Sequence, residues 1–160
     1  MFGFEKKWGY GKNIIVDIFL YMPYLSLEGK IMNSNETISP SMEDYLERIY
    51  VTQQEKGVVR VKDISKLMNV RMPSVNNAIT MLKKHNLVTQ EPYGYIEITE
   101  DGKAVAQRIL NRHTTLTAIL ESIGVTPATA ENDACCMEHI ISEETFQKLK
   151  EYFSKVFDNK

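Results

Sequence analysis

The stretch Asp133-Ala134-Cys135-Cys136-Met137-Glu138-His139 holds the densest chemistry in the chain. As part of a helix, it puts Cys135, Glu138 and His139 at i, i+3 and i+4, so a thiol, a carboxylate and an imidazole share one face. A soft sulfur, a hard oxygen and a borderline nitrogen converging there suit a divalent transition metal. The same residues offer a second chemistry, with Cys135 as nucleophile and His139 as its base. Both would sit on one helix, with no oxyanion hole and no third group to orient the base, so no enzyme is expected. Cys136 faces away from Cys135 and is expected to be packed. Three donors on one helix do not complete a site, so other elements must supply the rest.

Length and composition bound what those elements can be. With 160 residues and 18.4 kDa, the chain holds one domain with a real core or two small ones. A net charge of −2 gives no global basic excess that would announce nucleic acid. The two cysteines are adjacent, so no disulfide framework can be drawn from them, and a reducing, cytoplasmic setting is expected. Residues Ile14 to Leu27 are mostly apolar and follow Lys6, Lys7 and Lys12, the outline of a signal peptide. Asp17 and Pro23 interrupt that run, no small-residue cleavage pattern follows, and it falls short of the roughly 20 residues that span a bilayer. Residues 1–38 are therefore expected to be a poorly packed extension or a mis-called start, with Met32 the natural beginning.

From Ser39 onward the chain punctuates itself clearly. Ser39-Pro40-Ser41 opens a helix through Val51, with Ser41 the expected cap and apolar residues at 42, 45, 46, 49 and 50; Gly57 stops it. Taken alone, Asp44 and Glu47 on this helix read as first-turn charges on a wet face. A short amphipathic helix from Val61 to Val70 follows, then a tight break, then a helix from Pro73 to Lys84. Val75, Ile79 and Leu82 form the buried stripe of that helix, and Ser74, Asn76, Asn77 and Thr80 its polar face. Two short helices joined tightly, the second with a hydrogen-bonding face, are the helix-turn-helix pattern. Leu87 to Gln90 and Tyr95 to Thr99 alternate as strands around Glu91-Pro92-Tyr93-Gly94, which makes a wing.

Charge agrees with that assignment. Residues 56–85 carry seven cations against Asp63 alone, a local net of +6 on a chain of net −2. Such a patch fits phosphate contact. Thr99 then caps a long helix to Ser122, with Val105, Ile109, Leu116, Ile119, Leu120 and Ile123 on its apolar stripe. His113 lies in this helix; alone it reads as an ordinary surface or core residue. Thr126-Pro127 opens the helix of the Cys-Cys stretch. Ser142-Glu143-Glu144 caps a last helix, with Phe146, Leu149, Phe153 and Phe157 on its apolar side. This second half has little interior, so its stripes are expected to complete their burial against a second copy.

These residues match a known family. From Ser41 to Phe153 the chain resembles the diphtheria-toxin-repressor/manganese-transport-regulator family of metal-activated bacterial repressors. The matching stretches are Ser41 to Tyr50, Arg60 to Ile64, Pro73-Ser74-Val75, Glu91 to Gly94, Leu110 to His113, and Asp133 to Ser142, in the family's order. The resemblance implies a mainly α chain: an N-terminal winged helix-turn-helix (39–99), then an all-helical metal-binding and dimerisation domain (100–160). It implies metal ligands at Asp44, Glu47, His113, Cys135, Glu138 and His139. It also implies a homodimer on palindromic operators. Manganese-type members have carboxylates at positions 44 and 135, and iron-type members have methionine at 44 with cysteine at 135. This chain pairs Asp44 with Cys135, a mixture, so Mn²⁺ and Fe²⁺ are both expected, with Zn²⁺ or Co²⁺ able to bind in vitro. A bridging carboxylate at 135 is absent. The iron-type second site falls on Thr117 and Glu131 and is expected to be weak, with Glu131 and His113 supplying part of it. Ending at Lys160, the chain is expected to be without the small barrel domain of longer iron-type members.

The expected function is a transcriptional regulator that binds double-stranded operator DNA when loaded with metal and represses metal-uptake genes. Arg71, Pro73, Ser74, Asn76 and Asn77 are expected to meet bases and nearby backbone. Lys62, Lys66, Lys83, Lys84 and, on the wing, Tyr93 are expected to meet phosphates. The rival reading is a winged-helix regulator of an organic ligand or protein partner, with Cys135 and His139 merely structural.

Overall fold

Proline at position 40 decides where the first helix begins. It lacks an N–H and suits the first turn, so Ser39, not the expected Ser41, takes the capping position, and its Oγ accepts from the Met42 N–H at 3.4 Å. The computed structural model describes residues 38–92 and 94–158. Residues 1–37 of the expected N-terminal extension, Tyr93 and the Phe157 side chain lie outside the described residues, while Ile38, its last residue, packs against the core of the first unit. Among those described there are six helices and two strands, and no helix is long and apolar enough to cross a membrane. The chain divides into two compact units that meet in sequence between Arg108 and Ile109.

In the first unit, α1 (Pro40–Lys56) ends at Gly57, which at φ 74° adopts the left-handed conformation that terminates helices. Helix α2 (Val61–Met68) starts with the Arg60 N–H donating to Asp63 Oδ2 at 3.2 Å, and it closes on Asn69 at φ 54°. Helix α3 (Met72–Lys84) has Pro73 in its first turn and buries Val75, Ala78, Ile79 and Leu82. Strands β1 (Val88–Gln90) and β2 (Ile96–Ile98) pair antiparallel, Val88 opposite Ile98 and Gln90 opposite Ile96. The hairpin is docked onto the helices: the Ile96 N–H donates to the Val59 carbonyl at 2.8 Å and the Ile98 N–H to Gln53 Oε1 at 3.2 Å. Leu46, Ile49, Val59, Ile64, Val75, Ile79, Leu82, Val88 and Ile96 make one core, each large side chain contributing about 1.5–3 kcal/mol on burial. The helix-turn-helix and wing are thus formed as expected.

Helix α4 (Glu100–Ser122) begins in this unit. Thr99 Oγ1 accepts from the Gly102 N–H at 3.0 Å and donates to the Asn86 carbonyl at 2.7 Å. The helix starts so close to the hairpin that a Cβ on Gly102 would stand 2.0 Å from the Leu87 carbonyl oxygen and 2.8 Å from Ile98 Cγ1.

The second unit holds the rest of α4, then α5 (Pro127–Ile140) and α6 (Glu143–Asp158). Gly124 at φ 95° ends α4, and Ser142 Oγ accepts from the Thr145 N–H at 3.1 Å to start α6. Leu116, Ala134 and Phe146 are buried together, with Leu120, Met137, Ile141 and Leu149 half-buried around them. Ile123, on the stripe expected to complete its burial against a second copy, is 63% exposed in the single chain, just past the end of α4 at Ser122. One expectation fails here. Cys136 is exposed rather than packed, because α5 turns the neighbouring Ala134 inward to meet Leu116 and Phe146.

Candidate metal centre and nucleic-acid interface

Helices α4 and α5 bring four of the six expected ligands into one unit. His113 and Glu138 are both buried, and His113 Nδ1 lies 2.9 Å from Glu138 Oε2. His139 Nε2 lies 3.3 Å from the other oxygen, Oε1. A ligand atom of Cys135, which is half-buried, lies within 4.8 Å of one of Glu138. A carboxylate is therefore bracketed by two imidazoles with a thiol close by, as the i, i+3, i+4 spacing on α5 requires.

Glu138 itself shows how the donor set suits a cation. Its Oε1 is buried and, apart from the charge contact with His139 Nε2 at 3.3 Å, has no aligned hydrogen-bond donor among the described residues. A buried carboxylate oxygen so poorly satisfied is destabilising unless a cation takes its lone pairs. Two imidazole nitrogens, a carboxylate and a thiolate are the ligand types of Fe²⁺, Zn²⁺ and Co²⁺ sites, and the carboxylates also suit Mn²⁺. The residues present fit a divalent transition metal.

The remaining two expected ligands are on α1 of the first unit. Asp44 is half-buried and Glu47, one turn on, is fully buried. The wet-face reading therefore does not hold for Glu47.

On the DNA side, Lys62 and Lys66 of α2, Arg71 at the turn, and Pro73, Ser74, Asn76, Asn77, Lys83 and Lys84 of α3 are all exposed. Four apolar residues of α3 face inward, so its polar face is left to solvent. Ser74 and Asn77 share a shallow concavity of about 340 Å³ with Ser41, Met42 and Tyr45 from the start of α1. Lys83 Nζ donates to the Gln90 carbonyl at 3.0 Å, tying the end of α3 to the wing.

Three residues with a part in these surfaces, Arg60, Tyr95 and Arg112, were given no role of their own from the sequence. Arg60 donates to the Tyr95 hydroxyl at 2.8 Å and its guanidinium carbon lies 4.8 Å from that ring's centroid, which fixes the base of the wing to the turn before α2. The signals for it were Arg60's membership of the basic run and of the family-like stretch Arg60 to Ile64. Arg112, next to His113, grips the end of α5 through its guanidinium.

Known proteins agree with this division of labour. A family model described as "Iron dependent repressor, N-terminal DNA binding domain" matches residues 37–96. A second, "Iron dependent repressor, metal binding and dimerisation domain", matches residues 99–157. An uncharacterized HTH-type transcriptional regulator of Methanocaldococcus jannaschii is 37% identical over 123 residues, covering 76% of this chain and 98% of that protein. The HTH-type transcriptional regulator MntR of Geobacillus thermodenitrificans is 35% identical over 120 residues, covering 73% of this chain and 85% of its own length. Among solved structures, IdeR of T. acidophilum superposes with a TM-score of 0.62 at 28% identity, over 75% of this chain and 56% of that one.

Proposed function

Because the chain belongs to the iron-dependent repressor family of metal-dependent transcriptional regulators, we propose that it binds a palindromic operator as a cytoplasmic homodimer when loaded with Mn²⁺ or Fe²⁺, and so represses metal-uptake genes. The ligands in this reading are Asp44, Glu47, His113, Cys135, Glu138 and His139. The observation that carries it is the buried Glu138 carboxylate, bracketed by His113 and His139 with Cys135 beside it, inside the segment that matches a metal-binding domain. When bound, the cation supplies a positive centre that offsets the charge of these donors. Donors drawn from two units let occupancy favour one arrangement of the chain over others. In a dimer, that arrangement would set the spacing of two α3 helices, which must stand about 34 Å apart to enter successive major grooves.

On α3, Ser74, Asn76 and Asn77 would read base edges, with Arg71 and Pro73 at its start meeting bases or the nearby backbone. Lys62, Lys66 and Lys84 would meet phosphates, and Lys83 would do so from its place beside the wing. Tyr93 remains a wing candidate. The soft sulfur of Cys135 favours Fe²⁺ over Mn²⁺, while the carboxylates of Asp44 and Glu47 favour Mn²⁺.

An anaerobic gel-shift tests the reading. Duplex selected from a random pool by the Mn²⁺-loaded protein is titrated with full-length chain and Mn²⁺, Fe²⁺ or Zn²⁺, with and without chelator. Operator binding that needs metal and is lost to chelator is expected. Equal affinity with and without metal would refute the switch and favour an organic-ligand or protein-partner regulator.

A further inference from the structure

Arg112 stands one residue before His113, is 9% exposed, and commits its guanidinium to three acceptors at once. Its Nε donates to the Glu138 carbonyl at 3.1 Å, one Nη to the Ile141 carbonyl at 2.6 Å, and the other to the Glu143 carboxylate at 2.7 Å. Its plane lies over Phe146, with 4.8 Å between the guanidinium carbon and the ring centroid.

The two carbonyls belong to the last turn of α5 and its cap, where main-chain acceptors lack partners within the helix. Glu138 is thus held at both ends by consecutive residues of α4: its main chain by Arg112 and its carboxylate by His113. The Glu143 contact extends the tie to the first turn of α6.

We propose that Arg112 is a positioning residue for the metal centre. It fixes the end of α5 against α4, so that the Glu138 carboxylate and the His139 ring meet His113 in their binding geometry before an ion arrives. The proposal rests on the reading of this cluster as a metal site. Preorganised donors lose less freedom on binding, and partners that orient ligands typically change metal affinity 10–100-fold. Lysine cannot replace arginine here, because a point ammonium cannot reach three acceptors spread along a planar fork.

The test uses the full chain and its Arg112→Lys and Arg112→Met variants, the second retaining an apolar stem over Phe146. Each is titrated with Co²⁺ and Mn²⁺, its Co²⁺ d–d absorption is recorded, and its thermal unfolding is followed in chelator. Both variants are expected to stay folded at the titration temperature, to bind about 10–100-fold more weakly, and to show an altered Co²⁺ band. A folded variant with wild-type affinity and band would overturn the proposal, because a merely structural clamp moves the unfolding temperature alone. If neither Arg112 variant folds, Glu143→Gln decides: roughly twofold or greater weakening supports the clamp, and none overturns it. Wild-type protein that binds neither ion would instead refute the metal reading itself, and with it any positioning role.

Discussion

Gly102→Ala is expected to destabilise the first unit, against the ordinary rule for helices. Within a helix, alanine exceeds glycine by about 1 kcal/mol, and Gly102 sits in the first turn of α4. The new Cβ, however, would lie 2.0 Å from the Leu87 carbonyl oxygen, where ordinary contact begins at 3.4 Å. The helix start must therefore retreat by about 1.4 Å. Leu87 cannot give way freely, since its carbonyl already accepts the Thr99 N–H at 3.1 Å. Ile98, also too close at 2.8 Å, is in the wing strand. Overpacking of this kind costs about 1–3 kcal/mol, and more against main chain, so the net expectation is a loss of about 2 kcal/mol after the helix gain. Hydrogen exchange is the suitable assay, because two units need not unfold together. Amides of β1 and β2 should lose protection by about 2 kcal/mol, or roughly 30-fold in exchange rate, while those of α5 and α6 keep theirs. An alanine variant as protected as wild type, or more so, would refute the close approach as the reason for glycine.

Other perturbations separate the parts. His139→Ala should abolish metal-dependent operator binding while leaving a folded dimer. The shift lost is up to about 10⁴-fold, near 5.5 kcal/mol, and gel-shift with gel filtration reads both. Phe146→Ala removes one of three buried side chains in the second core and should cost about 3–5 kcal/mol, seen as selective loss of amide protection in α5 and α6. Asn77→Ala should weaken operator binding by about 1–3 kcal/mol and relax preference at one base position, whereas Lys66→Ala should weaken all sequences alike and lower the salt slope by about one. Base-substituted duplexes and a salt titration distinguish the two.

What could be read from the sequence divides along physical lines. The helix-turn-helix was legible because Val75, Ile79 and Leu82 recur at the helical period and Pro73 marks a first turn. The wing was legible because Val88, Ile96 and Ile98 alternate inward around a proline-glycine turn. The face of Cys135, Glu138 and His139 followed from spacing alone, but the burial of Glu47 did not, since nothing at its own helix position distinguishes a wet carboxylate from a covered one. Ser39 and Ser41 flank the same proline, and only the observed hydrogen bond tells which one caps. Cys136 was misplaced because an apolar thiol shows what could be buried, not what has a neighbour to bury it. Arg112 was hidden for a different reason: two of its three acceptors are main-chain carbonyls, which every residue has and no side-chain pattern reveals.

The adjacency of Arg112 and His113 separates two properties that would otherwise change together. Successive helix positions point about 100° apart, yet both side chains reach Glu138, one by its main chain and the other by its carboxylate. The brace does not depend on what residue 138 is, because any amino acid offers the same carbonyl. On the proposed reading of positions 113, 135, 138 and 139 as donors, their identity could be redesigned toward a softer or harder cation while the main-chain contact that Arg112 makes stays in place.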